Sequence, residues 1–263
     1  MTRRRTGDPC MTKCAASAVV LRGGSESFRS NRAIGEALSA ALAQEGLPAA
    51  AVTVVPVPDR AGVDALLRLD QLIDVIIPRG GEALIQRIME TSRIPVIKHA
   101  KGVCHVYVDQ QADLAMAAKI IINAKCQRPG VCNAMETLLV HERVANVFVP
   151  EIAKQLQQAG VELRGDAATQ ALVPTAVPAT EEDWSTEYLA LVLAVRIVPS
   201  LEAAMEHIRR YGSAHTDAIV TQDQAAADRF VRDVDSAAVF VNASTRLSDG
   251  YQFGLGAEIG IST

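Results

Sequence analysis

Asn123-Ala-Lys-Cys-Gln-Arg-Pro-Gly-Val-Cys-Asn-Ala-Met-Glu136 joins two stretches of different periodicity. Upstream, Asp113 to Cys126 carries Leu114, Ala117, Ala118, Ile121 and Ile122 at helical spacing, with Asp113 placed to cap the first turn. Pro129-Gly130 then stops the helix and turns the chain. Downstream, Ala134 to His141 has the apolar, β-branched character of a buried strand. Cys132 is therefore expected at a sharp helix-to-strand bend. A thiol held there is open to a substrate, and its own N–H can donate to an oxyanion formed beside it. The residues alone also allow a small apolar cysteine packed into a core. Lys125 and Arg128 favour a thiolate while the helix C-terminus opposes one, so the direction of any shift at Cys132 stays open.

Outward from this bend the chain alternates strand and helix. Ala18 to Leu21 reads as a strand, and Asn31 to Glu45 as a helix with Ile34, Leu38, Ala41 and Leu42 on one face, ended by Gly46 and Pro48. Val52 to Val57, Leu72 to Ile77 and Ile94 to Ile97 are short apolar runs, with helices Asp59 to Leu69 and Glu82 to Thr91 between them. After Asp109 the same rhythm runs through Arg143 to Ala159, Leu189 to Val198, Leu201 to Tyr211, Asp217 to Thr221, Asp223 to Val234 and Ala237 to Val241. The Pro- and Ala-rich stretch from Val173 to Glu182 reads as a loop. Repeated βαβ units predict a parallel sheet covered on both faces.

Composition narrows the class. At 263 residues the chain can hold one large or two modest domains, and 49% hydrophobic with 21% charged residues is globular rather than disordered. A net charge of −4 gives no electrostatic case for a nucleic-acid partner. No run of about 18 apolar residues spans a bilayer. The basic start Met1-Thr-Arg-Arg-Arg is followed by no apolar region of a secretory signal. Five cysteines form no framework, and Cys10-x-x-x-Cys14 lacks the partners of a metal site, so no metal and a reducing cytoplasmic setting are expected. His105, alone in the apolar run Val103 to Val108, reads as a core residue.

Two glycine pairs follow predicted strands: Leu21-Arg-Gly-Gly-Ser25 and Ile77-Pro-Arg-Gly-Gly81. Backbone N–H groups at such a turn, with the N-terminus of the next helix, make an anion site at the C-terminal edge of a parallel sheet. Each could equally be an ordinary strand-to-helix turn with a solvated arginine. Two in successive βα units favour a phosphate-bearing dinucleotide.

Gln127-Arg-Pro-Gly-Val-Cys-Asn-Ala-Met-Glu-Thr-Leu-Leu-Val140 resembles the nucleophile segment of the gamma-glutamyl phosphate reductases, also called glutamate-5-semialdehyde dehydrogenases, in the aldehyde dehydrogenase superfamily. The two glycine stretches, Lys98-His99 with Gly102-Val-Cys-His-Val-Tyr-Val-Asp109, and Phe240-Val-Asn-Ala-Ser-Thr-Arg246 with Phe253-Gly-Leu-Gly-Ala-Glu258 are similar to the same family in the same order. The resemblance implies an α/β, aldehyde dehydrogenase-like fold. Residues 1–17 would be an unrelated or disordered N-terminus, 18–103 an incomplete Rossmann-like NADP-binding domain and 104–263 the catalytic domain. It makes Cys132 the catalytic nucleophile, and assigns Arg22, Gly23, Gly24, Ser25, Pro78, Arg79, Gly80, Gly81 and Glu187 to NADP(H), Glu187 at the nicotinamide-side ribose. Asn133, Asn242, Ser244, Thr245, Arg246 and Phe253 fall to the substrate, L-glutamyl 5-phosphate.

The implied reaction is an NADPH-dependent reduction through a Cys132 thioester to glutamate 5-semialdehyde, with loss of phosphate, on the way to proline. Aldehyde-oxidising relatives carry a water-activating glutamate near the position of Lys98; this chain offers no carboxylate there, which suits an enzyme that must not hydrolyse its thioester. Members of the family extend upstream of Ala18 and beyond Thr263, and the upstream part carries an asparagine that donates to the oxyanion. The resemblance thus implies a chain truncated at both ends. It would act as the reductase, as a homo-oligomer or with a complementing N-terminal fragment, or else serve as a non-catalytic NADP-binding piece.

Overall fold

The computed structural model describes residues 17–57, 59–98 and 101–255; the Cys10/Cys14 spacing, His99 and the 256–258 end of the last motif lie outside the described residues. The chain divides into two compact units, Met1–Ile76 with Arg87–Val96, and Ile77–Gln86 with Ile97–Thr263.

In the first unit, β1 (Val19–Leu21) is followed by α1 (Phe28–Gln44), β2 (Val52–Val54) and α2 (Arg60–Leu66). β1 and β2 pair in parallel, Val20 opposite Thr53. Helix α1 starts three residues before the sequence signal, and Gly46, at φ +71°, ends it in the left-handed conformation glycine permits. Asp59 caps α2 by accepting the Ala61 N–H. The apolar runs 72–77 and 94–97 are not strands but a single bridge, Ile76 to Val96. Leu72 and Val75 there are exposed, and among the described residues no further strand pairs with these runs. The helix predicted from Glu82 to Thr91 is present with those bounds as α3 (Glu82–Thr91).

The second unit is a doubly wound α/β layer structure. Its strands are β3 (Cys104–Val108), β4 (Met135–His141), β5 (Glu162–Gly165), β6 (Val177–Pro178), β7 (Val192–Val198), β8 (Thr216–Val220) and β9 (Ala238–Val241). Their spatial order is β6-β5-β7-β4-β3-β8-β9, with every pairing parallel. The connecting helices are α4 (Leu114–Cys126), α5 (Glu142–Gln158), α6 (Ala167–Leu172), α7 (Leu201–Tyr211) and α8 (Gln224–Asp233). On one face, Val106, Leu138, Val140 and Leu193 pack against Ile121, Phe148 and Ile152 of α4 and α5. On the other, Tyr107, Leu139 and Ile219 pack against Ala204, Ile208 and Phe230 of α7 and α8. Alternate residues of β3 and β4 feed opposite faces, which is why apolar residues stand at both odd and even positions of the two strands.

Local chemistry sets the element ends. Asp113 caps α4 by accepting the Ala115 and Met116 N–H groups, and Ser200 and Asp223 do the same for α7 and α8. The sequence marks no element between Ala159 and Val173 and a loop from Val173 to Glu182, where the structure has β5 and α6 in the first stretch and β6 in the second. Four-residue β5 buries only Leu163 and Gly165, and β6 is two residues long, so neither carries a periodic signal. The strand predicted from Leu189 begins only at Val192, because Leu189 turns at φ +53°. Among the described residues no helix is long and apolar enough to cross a membrane, and no group of three or more His, Cys, Asp or Glu could hold a metal ion.

His105 is buried, as its apolar context predicts, and its Nδ1 lies 2.8 Å from Asp217 Oδ1. Its neighbour His207, on α7, meets the rings of His105, Trp184 and Tyr211. The Arg196 guanidinium can only donate to His207 Nδ1 (2.9 Å), so this imidazole is neutral with its proton on Nε2. Burial, with the charges of His105, Arg196 and Arg210, holds His207 down at about 2. Its unfolded value lies near 6.5, so below that pH the unfolded chain binds a proton that the folded one refuses, and stability falls as pH falls. Urea unfolding between about pH 6.5 and 5 is expected to show a shallower loss in His207→Leu than in the parent, by up to about 1.4 kcal/mol per pH unit. Parallel pH profiles for the two proteins would contradict this.

Candidate active site

The helix-to-strand bend is present where the sequence places it. Helix α4 ends at Cys126, β4 begins at Met135, and between them a turn closes with the Ala134 N–H on the Val131 carbonyl (3.0 Å). Cys132 is half-buried in that turn and carries no disulfide. Gly102 presses against it from the residues before β3. A Cβ on Gly102 would lie 1.9 Å from the Cys132 carbonyl oxygen and 2.7 Å from its Cα, so only glycine permits this approach. The Cys104 thiol donates to the same carbonyl (3.2 Å), and burial raises the Cys104 pKa well above its ordinary value. Cys104 is therefore a protonated donor under the turn.

The Gly102 N–H donates to Glu187 Oε1 (2.9 Å), using one of that carboxylate's two oxygens. Glu187 thus stands one residue contact away from the Cys132 turn. On another side, Asn133 donates from Nδ2 to the Ser248 carbonyl (2.9 Å) and accepts Arg246 Nη1, while Arg246 Nε donates to Gln127 Oε1 (3.1 Å). The cluster therefore gathers Cys132, Asn133, Glu187 and Arg246, four of the residues singled out from sequence. Gln127, Gly102 and Ser248 join it without having been singled out. Gly102 stood inside a recognised motif, but nothing local shows that the backbone of Cys132 occupies the place of its side chain.

Of the other residues singled out beside these, Asn242 and Ser244 serve the backbone. Asn242, at φ +54°, accepts the Thr221 N–H (3.0 Å) and donates to the Thr221 carbonyl (2.9 Å), which commits both ends of its amide. Ser244 accepts the Arg246 N–H (3.2 Å), and Thr245 is fully buried. Phe253 is 56% exposed and stacks on Phe240 at 6.3 Å between ring centres. Lys125, considered from sequence as a support for the thiolate, points elsewhere: its Nζ lies 2.5 Å from Glu136 Oε2, with both side chains fully buried. Burial pushes Lys125 down and Glu136 up to about 7, each towards its neutral form, and their mutual attraction opposes this. Around Asp183 the balance runs the other way. Burial works to raise it, but the Thr180 N–H and hydroxyl, Arg164 and Tyr188 all donate to it and hold it down at about 2.

The glycine turns fall in different units, Arg22 to Ser25 in the first and Pro78 to Gly81 in the second. Beside the first, a cavity of ≈ 210 Å³ is lined by residues that include Arg22, Gly23 and Asn31. That volume suits a phosphate-sized group rather than a whole dinucleotide. A Cβ on Gly23 would strike Asn31 Nδ2 at 1.9 Å, so glycine keeps the turn close to α1. Ser27 makes no side-chain cap to α1 and no acidic residue sits in its first turn, while the Glu26 carboxylate borders the turn at Gly24. The uncapped helix start and Arg22 suit an anion, while the Glu26 carboxylate and the apolar Leu21, Ile34, Leu38 and Val54 of the cavity lining work against one. In the second turn Gly80 sits at φ +147° and a Cβ on Gly81 would meet nothing.

A parallel sheet wound on both faces, with a half-buried thiol on the bend before a central strand and a carboxylate one contact away, defines an α/β protein with a candidate nucleophile centre. The chain belongs to the aldehyde dehydrogenase family, whose profile matches residues 14–173. It is similar to the gamma-glutamyl phosphate reductase of Geotalea daltonii, 58% identical over 249 residues, which cover 95% of this chain and 60% of that protein. The crystal structure of gamma-glutamyl phosphate reductase from Thermotoga maritima matches with a TM-score of 0.89 at 46% identity, over 92% of this chain and 59% of that one. An acetylating aldehyde dehydrogenase from Geobacillus thermoglucosidasius shares the fold at a TM-score of 0.68 and 21% identity, over 89% and 60% of the two chains. The chain thus spans about 60% of the length of the curated relatives it matches.

The contact between Gly102 and Cys132 can be probed directly. Gly102→Ala is expected to lower the unfolding free energy by about 1–3 kcal/mol, because its methyl meets backbone rather than a flexible side chain. Gly81→Ala, which meets open space, should stay within about 0.5 kcal/mol of the parent. Equal effects in denaturant titrations would remove the close approach from the account of the site.

Proposed function

We propose that the chain carries the nucleophile half of an acyl-phosphate reductase: reduction of L-glutamyl 5-phosphate to L-glutamate 5-semialdehyde through a thioester on Cys132. The observation that carries this reading is the half-buried Cys132 on its turn, seated on Gly102, with Glu187 and the Asn133–Arg246 pair around it. The similarity to gamma-glutamyl phosphate reductases supports the substrate class.

In this reading the Cys132 sulfur attacks the acyl carbon and the bond to the phosphate oxygen breaks, so phosphate leaves with the electron pair. The oxyanion of that step meets the Cys132 N–H on the same turn. Asn133 and Arg246, fixed to each other and to Gln127 and Ser248, hold the charged end of the substrate, with Phe253 along the pocket wall. A nicotinamide cofactor, NADP(H) in this reading, supplies the hydride when bound. Arg22, Gly23, Gly24 and Ser25 hold its phosphates, Pro78 to Gly81 contribute a second backbone turn, and Glu187 offers its remaining oxygen to ribose hydroxyls. After reduction the carbon–sulfur bond breaks, the aldehyde departs and Cys132 returns as thiolate. Residues 18–103 serve the cofactor and 104–263 the chemistry. A cytoplasmic setting, and a homo-oligomer or a complementing chain as the active unit, belong to the same reading.

The reverse reaction offers a convenient assay: semialdehyde, phosphate and NADP⁺ supplied together, with NADPH formation followed by absorbance. Cys132→Ala is expected to reduce the rate by ~10³-fold or more while NADPH binding, read by fluorescence titration, persists. Binding without turnover in the parent would return the chain to a non-catalytic cofactor-binding piece. Turnover unchanged in the variant would remove Cys132 as the nucleophile.

A further inference from the structure

We propose that Glu136, paired with Lys125, is a positioning residue for this centre: it hangs the segment that presents Glu187 to Gly102, and so sets the carboxylate against the Cys132 turn. The kinetic part of this inference rests on the reductase reading; its structural part does not.

Strands β3 and β4 slip by one residue at their start. Cys104 lies opposite Met135 and His105 opposite Thr137, so Glu136 is the extra residue of a bulge. Bulges re-aim side chains, and here the side chain is a carboxylate in the core, three residues after the Asn133 that follows Cys132. Its two oxygens do different things. Oε2 meets Lys125 Nζ at 2.5 Å, tying the last turn of α4 to the start of β4 across the Cys132 connection. Oε1 accepts the N–H of Leu189 (3.3 Å).

Leu189 is the informative partner. It is a non-glycine residue at φ +53° and 39% exposed, so neither backbone preference nor burial of its side chain holds it there. What holds it is the buried acceptor at Glu136. The residue before Leu189, Tyr188, hangs from Asp183, to which it donates its hydroxyl (2.9 Å), and the Tyr188 ring lies 5.9 Å from Lys125 Nζ. Glu187 immediately precedes these two anchored residues, and its Oε1 is the acceptor for the Gly102 N–H. A buried ion pair adds little net stability compared with apolar side chains of similar volume. The use of this pair therefore lies in where it places the Glu187 segment.

The test compares two doubly substituted proteins, Lys125→Met/Glu136→Gln and Lys125→Met/Glu136→Leu. Both lack the charges and have similar volume, but only glutamine keeps an oxygen for the Leu189 N–H. Amide hydrogen exchange, followed by mass spectrometry on peptides covering Gly102 and Leu189, is expected to quicken ~10-fold in the leucine protein and to stay near the parent in the glutamine protein. The Gly102 N–H bonds to Glu187 rather than to either substituted side chain, so its exchange reports the placement of Glu187. In the reductase assay the leucine protein should show a KM for the cofactor raised ~10-fold with a smaller change in kcat. Identical exchange in the two proteins, or an unchanged Gly102 amide in the leucine protein, overturns the proposal. A parent without turnover would count against the reductase reading and leave the exchange result to decide this one. Glu136→Met replaces Glu136→Leu if the latter does not fold.

Discussion

The one-residue slip between β3 and β4 is the constraint on which the rest of the site depends. In a parallel sheet a shift of one residue exchanges the faces of every side chain beyond it. Below the slip, Cys104 and Met135 stand opposite each other beside the Cys132 turn; above it, Val106 and Leu138 run in register through the core. The sheet can thus complete its two apolar faces while its edge holds polar groups that face the bend. Glu136, the residue left over, turns a defect in pairing into a buried acceptor.

Around this edge, backbone rather than side chains makes the closest contacts. Gly102 abuts the Cys132 peptide, Cys104 donates to its carbonyl, and Glu187 and Glu136 accept N–H groups from Gly102 and Leu189. A thiol on such a turn is held by short-range packing, which a protein interior transmits stiffly. Beside the turn, Arg246 bonds to both Asn133 and Gln127, which fixes the three polar side chains relative to one another. Such preorganisation lowers the ordering cost of binding.

Much of the second unit was legible from residue patterns. Helix α4 with its Asp113 cap, the turn at Pro129-Gly130 and strand β4 follow from periodicity and punctuation over two dozen residues. The strands β3, β7 and β8 are mostly apolar because both their faces are covered. The elements that escaped are short or have no partner. β5 and β6 present too few residues for a period, and the apolar runs at 72–77 and 94–97 resemble strands but form one bridge. An apolar run states that a segment prefers burial, and says nothing of whether a neighbouring strand is there to pair with it.

For the site, the sequence by itself determined the bend that carries Cys132, because turn residues and helix caps act between neighbours in the chain. It also determined that His105 lies in the core, since its apolar neighbours on both sides leave it nowhere else to go. Only the tertiary structure decided that Lys125 serves Glu136, that Asn242 clamps Thr221, and that Gly102 lies beneath Cys132. Those pairings join residues 11, 21 and 30 positions apart, as their numbers show, and the partner of a polar group or a glycine is chosen by which strands lie side by side. No local pattern records that choice.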